Sequence, residues 1–92
     1  MKVDVSGIKF DLLVRDNFGR TDDYMGRSDA KMGKLFVCRE MPKELQESTL
    51  IHEWLHAIAG RFGIEMSEQA INTYEISLYN AGFRIKVEED NE

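Results

Sequence analysis

The spacing of apolar residues changes once along this chain, and Pro42 marks the change. Before it, Val3, Val5, Ile8, Phe10, Leu12 and Val14 alternate with polar positions on either side of Ser6-Gly7. A period of two puts successive side chains on opposite faces, so this stretch predicts half-buried strands joined at Ser6-Gly7. Lys34-Leu35-Phe36-Val37-Cys38-Arg39, a short apolar run that follows Gly33, predicts another strand. Residues 16–23 are rich in turn formers and Gly26 to Gly33 carries few apolar residues, so both read as connecting loops, with a short strand near Tyr24. From Pro42 onward Leu45, Ile51, Trp54, Leu55, Ile58 and Phe62 form a stripe, spaced by threes and fours over its second half, and predict a helix over 42–62. Proline fits the first turn of that helix because its missing N–H would have no partner there anyway. Ser67, followed by Glu68 and Gln69, predicts an N-cap for a second helix over 67–82, ended by Gly82. Residues 87–92 read as a frayed acidic tail. Strands followed by helices predict an α+β domain, in which a small antiparallel sheet of about three strands packs against two antiparallel helices.

Ninety-two residues, 42% of them apolar, suffice for one core and leave little material for a second domain. Seventeen acidic against twelve basic residues give a net charge of −5, which argues against a nucleic-acid partner because phosphate tracking needs clustered Lys and Arg. No apolar run approaches the roughly 18–20 residues of a bilayer span, and Met1-Lys2-Val3-Asp4 opens directly into the alternating pattern. The expectation is a soluble cytoplasmic protein with no membrane partner. Cys38 is the sole cysteine, which excludes an internal disulfide and a thiolate zinc cluster and leaves it to act as a small hydrophobe in a strand.

Both histidines of the chain lie in His52-Glu53-Trp54-Leu55-His56, the pattern H-E-x-x-H, within the first predicted helix. Two histidines placed at random in a chain of this length fall four apart about 2% of the time, and a glutamate after the first lowers an accidental match to the order of 0.2%. Residues four apart on a helix share a face with Cβ atoms about 5–6 Å from each other, so two imidazoles can converge on one cation. Glu53 lies roughly 100° around the helix from His52, where a carboxylate can reach a metal-activated water without ligating. The plain alternative is that all three are polar side chains on a solvated face. A catalytic zinc takes three protein ligands and keeps a fourth position open. Glu75 follows His56 after eighteen residues, enough for the helix to finish, a loop over 61–66 and two turns of an antiparallel helix, and it is the favoured third ligand. Its competitor is Glu68, seven residues earlier, which could equally be an acidic residue favoured by the dipole of the second helix's first turn.

His52-Glu53-Trp54-Leu55-His56 with Glu75 resembles the gluzincin arrangement of zinc metallopeptidases. The run from Ser48 to Ile58, with a closing helix carrying Leu78-Tyr79, is similar to small metallopeptidase-like proteins encoded by bacteriophages and prophages. The likeness is specific over the helical part and extends to the sheet only in pattern. It implies one Zn2+ per chain held by His52, His56 and Glu75, with Glu53 as the catalytic base of an endopeptidase acting on a peptide or protein substrate in the host cytoplasm. An extended substrate could pair with a sheet edge, and Tyr74, Tyr79, Arg61 and Arg84 are the candidate donors to an oxyanion. Two other readings stay open: a metal-binding but non-catalytic module that sequesters a host or phage protein, and a metal-free interaction domain.

Overall fold

The computed structural model describes residues 1–16 and 25–90. Its elements in chain order are β1 (Lys2–Val5), β2 (Ile8–Arg15), β3 (Gly26–Asp29), β4 (Lys34–Cys38), α1 (Lys43–Phe62), α2 (Glu68–Asn80) and β5 (Val87–Glu88). The strands form one sheet in the order β3-β4-β2-β1-β5, packed against the helices in an α+β fold. Ser6 and Gly7 both have positive φ, 51° and 95°, as the two-residue hairpin between β1 and β2 requires when Val5 pairs with Ile8.

Three features depart from the sequence-based expectation. The sheet has five strands rather than about three, and it is mixed, because β4 runs parallel to β2 while every other pair is antiparallel. Gly26–Asp29, read above as loop, is the edge strand β3. Its sequence GRSD lacks the β-branched and aromatic residues that signal a strand; among the described residues only β4 pairs with it, and its helix-facing positions are small. The tail is tied down as far as Asp90: β5 pairs with β1, Glu88 meets Lys9 at 2.5 Å, and Asp90 meets the N-terminal amine at 3.0 Å. The expected strand near Tyr24 lies outside the described residues, as does most of the turn-rich segment before it.

The core lies between one sheet face and α1. Val3, Val5, Phe10, Leu12, Leu35 and Val37 point inward from three strands and close over Leu50 and Ala57 of α1. Phe36 points to the other face, where the guanidinium groups of Arg15 and Arg27 lie over its ring at 5.6 and 4.7 Å. Pro42 stands at the N-cap of α1, and Gly63 closes that helix with φ 66° in the left-handed region. Ser67 caps α2 as its sequence indicated, accepting a hydrogen bond from the Ala70 N–H at 3.0 Å. Among the described residues no helix is long and apolar enough to cross a membrane.

The buried face of α1 matches the expected stripe only in its middle, where Ile51 is buried and Trp54 and Ile58 pack against the core. Leu45 and Phe62, at its two ends, are exposed, whereas Thr49 and Glu53 are buried beside Leu50, Ile51 and Ala57. The reason is a close approach to β3. A methyl group on Gly26 would lie 2.7 Å from Thr49 Cγ2, 2.9 Å from Glu53 Cγ and 2.9 Å from the Phe36 carbonyl oxygen. Glycine at this position lets α1 sit against the sheet edge and carry Glu53 down beside it. The expected cost of Gly26→Ala is about 1–3 kcal/mol, the range for overpacking a filled site, read as a lowered urea midpoint. Ser28→Ala, a small change on the same strand, is expected within about 0.5 kcal/mol of the parent; equal midpoints for the two variants would show that the close approach has no energetic weight.

Candidate metal centre

Helix α1 offers Ser48, His52 and His56 at intervals of four residues, and α2 offers Glu68 and Glu75 seven residues apart. Ser48 pairs with Glu75, His52 with both glutamates and His56 with Glu68, so the contacts run in opposite order along the two helices, as an antiparallel pair demands. The imidazole rings lie 4.9 Å apart between centroids. Both Nε2 atoms face one oxygen: Glu68 Oε1 lies 2.8 Å from His52 Nε2 and 3.1 Å from His56 Nε2. One ligand atom from each of these three residues falls within 4.8 Å of the other two.

The two carboxylates that compete in the sequence take different positions. Glu75, the favoured third ligand by sequence, touches the other nitrogen of His52, with Oε1 2.8 Å from Nδ1, and its Oε2 accepts a hydrogen bond from the Ser48 hydroxyl. Glu68 is the carboxylate that meets both Nε2 atoms. Glu75 is mostly buried and Glu68 is 63% exposed, so the cluster is open on the Glu68 side.

A cleft of about 480 Å³ surrounds the cluster. Thr49, His52, Glu53 and His56 form its α1 wall, Glu68, Asn72 and Glu75 its α2 wall, and residues 25–28 of β3 the third. Glu53 is only 7% exposed and lines this cleft. Burial pushes its carboxyl above the ordinary value; His52 and His56 pull in the other direction, and Glu68 and Glu75 add to the rise.

None of the four expected oxyanion donors lines the cleft. Arg61 donates to the Ser6 carbonyl oxygen at 2.6 Å, Arg84 lies over the Tyr79 ring and faces Glu47, and Tyr74 is exposed. Each is engaged elsewhere or turned away. The side chain with a free-standing amide in the cleft is Asn72, and the wall that the sequence did not reveal is β3. Asn72 was legible as the position three before Glu75 and four after Glu68 on one helix face. Ser48 was likewise legible, four residues before His52.

The backbone of β3 has a definite polarity. Cys38 N–H donates to the Met25 carbonyl oxygen at 2.9 Å, and Met25 stands opposite Cys38 in the register that pairs Gly26 with Val37. In an antiparallel ladder this turns the polar groups of Met25, Arg27 and Asp29 toward β4 and those of Gly26 and Ser28 away from it.

No protein family, curated protein or solved structure matches this chain. The functional reading rests on the side chains themselves.

The rise at Glu53 has a consequence for stability. A carboxyl whose folded value lies above its unfolded value contributes stability below the ordinary carboxylate range and loses it as pH rises through the folded value. In the metal-free protein, Glu53→Gln is therefore expected to raise the thermal midpoint at neutral pH, with the gain shrinking in acid below the ordinary carboxylate range. A gain that grows in acid would contradict the assignment.

Proposed function

We propose that this protein is a zinc-dependent hydrolase, an endopeptidase, with His52, His56 and Glu68 holding the ion and Glu53 acting as general base. The observation that carries the reading is the convergence of both Nε2 atoms on one carboxylate oxygen at 2.8 and 3.1 Å, with a buried glutamate in the same cleft. Two imidazoles and a carboxylate are one of the donor sets of catalytic zinc sites, so the residues fit the group. Sequence reasoning favoured Glu75 as the third ligand; the contacts support Glu68 in that place instead.

An ion held there would supply a Lewis acid and lower the pKa of water. Glu53, its carboxyl raised above the ordinary value by burial, suits taking a proton at its carboxylate and returning it to a leaving amine. Asn72 offers an amide N–H to a carbonyl oxygen in the cleft. Gly26 and Ser28 present outward N–H and C=O groups on the same cleft wall, which suits an extended peptide that adds to the sheet at β3.

A non-catalytic metal site is normally closed by four protein ligands. Among the described residues this cluster has three, and its exposed side favours the catalytic reading over a sequestering module.

Purified protein is expected to carry about one zinc per chain, in line with a single three-ligand site. Glu53→Gln is expected to retain that zinc while hydrolysis of fluorescent casein falls by about 100-fold or more, the weight of general-base catalysis. Casein hydrolysis at the parent rate by Glu53→Gln would remove the proposed base. A chelator is expected to lower the thermal midpoint of the parent protein, because an ion that binds only the folded state stabilises it; an unmoved midpoint would favour the metal-free reading.

A further inference from the structure

We infer that Ser48 and Glu75 form a two-residue relay that positions His52 for metal binding, an inference that rests on the metal centre proposed above. An imidazole can ligate through Nε2 only when that nitrogen keeps its lone pair, which requires the ring proton to sit on Nδ1. What fixes the proton there is a partner able to accept it. Glu75 Oε1 lies 2.8 Å from His52 Nδ1, and the other oxygen of the same carboxylate accepts the Ser48 hydroxyl proton. Both oxygens of Glu75 are thus committed, one to the ring and one to the hydroxyl, and the carboxylate cannot rotate without losing a hydrogen bond.

The relay is built from well-packed side chains. Glu75 and His52 are 16% and 18% exposed, whereas Glu68 is 63% exposed, so the orienting carboxylate is the sheltered one and the carboxylate facing Nε2 is the accessible one. Ser48 belongs to it by helix geometry as well, since it precedes His52 by one turn on the same face. Among the described residues His56 has no such support, its polar partner being Glu68. The two histidines are therefore unequal, His52 being held in advance and His56 free to adjust. Ser48 and Glu75 are positioning residues in this scheme, acting on the ion through His52.

The test compares zinc-loaded parent protein with Ser48→Ala, Glu75→Ala and Glu75→Gln. Zinc affinity is measured by competition with a chromophoric chelator, and the His52 Nδ1–H resonance is followed by NMR. The parent is expected to show that ring proton protected from exchange with water. Glu75→Ala is expected to weaken zinc by about 10- to 100-fold, and Ser48→Ala by roughly tenfold at the low end of that range, both with faster exchange of the His52 proton. Glu75→Gln keeps an acceptor for Nδ1–H and is expected to recover most of the affinity, which a residue ligating through its charge would not do. Thermal midpoints of the metal-free variants report separately on folding.

Zinc binding by the parent together with unchanged affinity and ring-proton exchange in Ser48→Ala and Glu75→Ala would overturn the relay and leave the metal centre standing. Loss of affinity in Glu75→Gln as severe as in Glu75→Ala would overturn it too and return Glu75 to the ligand shell. A parent protein that takes up no zinc overturns the centre and the relay together.

Discussion

Helix α2 depends on a polar seam. Only Ile71 of its thirteen residues is buried, and among the described elements α1 is the one that α2 contacts, so the apolar area holding the two helices together is small. Among the described residues the polar contacts between the two helices set Ser48, His52 and His56 on one side against Glu68 and Glu75 on the other. Add the buried Glu53 and the cleft brings three carboxylates around two imidazoles. Each of these carboxylates, where ionised, costs free energy in a partly desolvated space unless positive charge offsets it. A divalent ion bound between the Nε2 atoms would supply that charge and take both nitrogens as donors. The charge imbalance and the convergence of donors point the same way.

The sheet edge contributes a second constraint, and it acts through the absence of a side chain. Gly26 has no room for a Cβ between Thr49, Glu53 and the Phe36 carbonyl. By letting α1 settle against β3, it brings the buried glutamate of the motif, the imidazoles and the outward-facing backbone of Gly26 and Ser28 to one cleft. A helix standing a few ångströms further off would leave Glu53 in solvent, where burial could not raise its carboxyl. The strand that walls the cleft and the glycine that sets its width are one element.

Local signals carried far in this chain. The alternation around Ser6-Gly7 marked both strands of the hairpin, the single proline marked the start of α1, and Ser67 marked the cap of α2, because each of these depends on near neighbours. The H-E-x-x-H spacing likewise placed His52, Glu53 and His56 relative to one another, since helix geometry alone decides it. What could not be read was long-range. β3 hides in GRSD because its pairing and its fit to α1 come from residues distant in sequence, and β5 hides in an acidic tail because β1 supplies its ladder. The choice between Glu68 and Glu75 turns on the rotation of α2 about its own axis. Two carboxylates seven residues apart share a helix face, so both meet α1, and only the packed structure shows which nitrogen each one faces. Leu45 and Phe62, apolar yet exposed at the two ends of α1, show the same limit: helical periodicity does not say how far a partner surface extends.

The central claim is that His52, His56 and Glu68 meet at one divalent ion. X-ray absorption spectroscopy at the zinc edge of the loaded protein tests it most directly. The account predicts a first shell with two imidazole nitrogens at about 2.0–2.1 Å, completed by oxygen, and a loss of one nitrogen scatterer in His56→Ala. A shell of oxygens with no imidazole, or one that His56→Ala leaves unchanged, would contradict it.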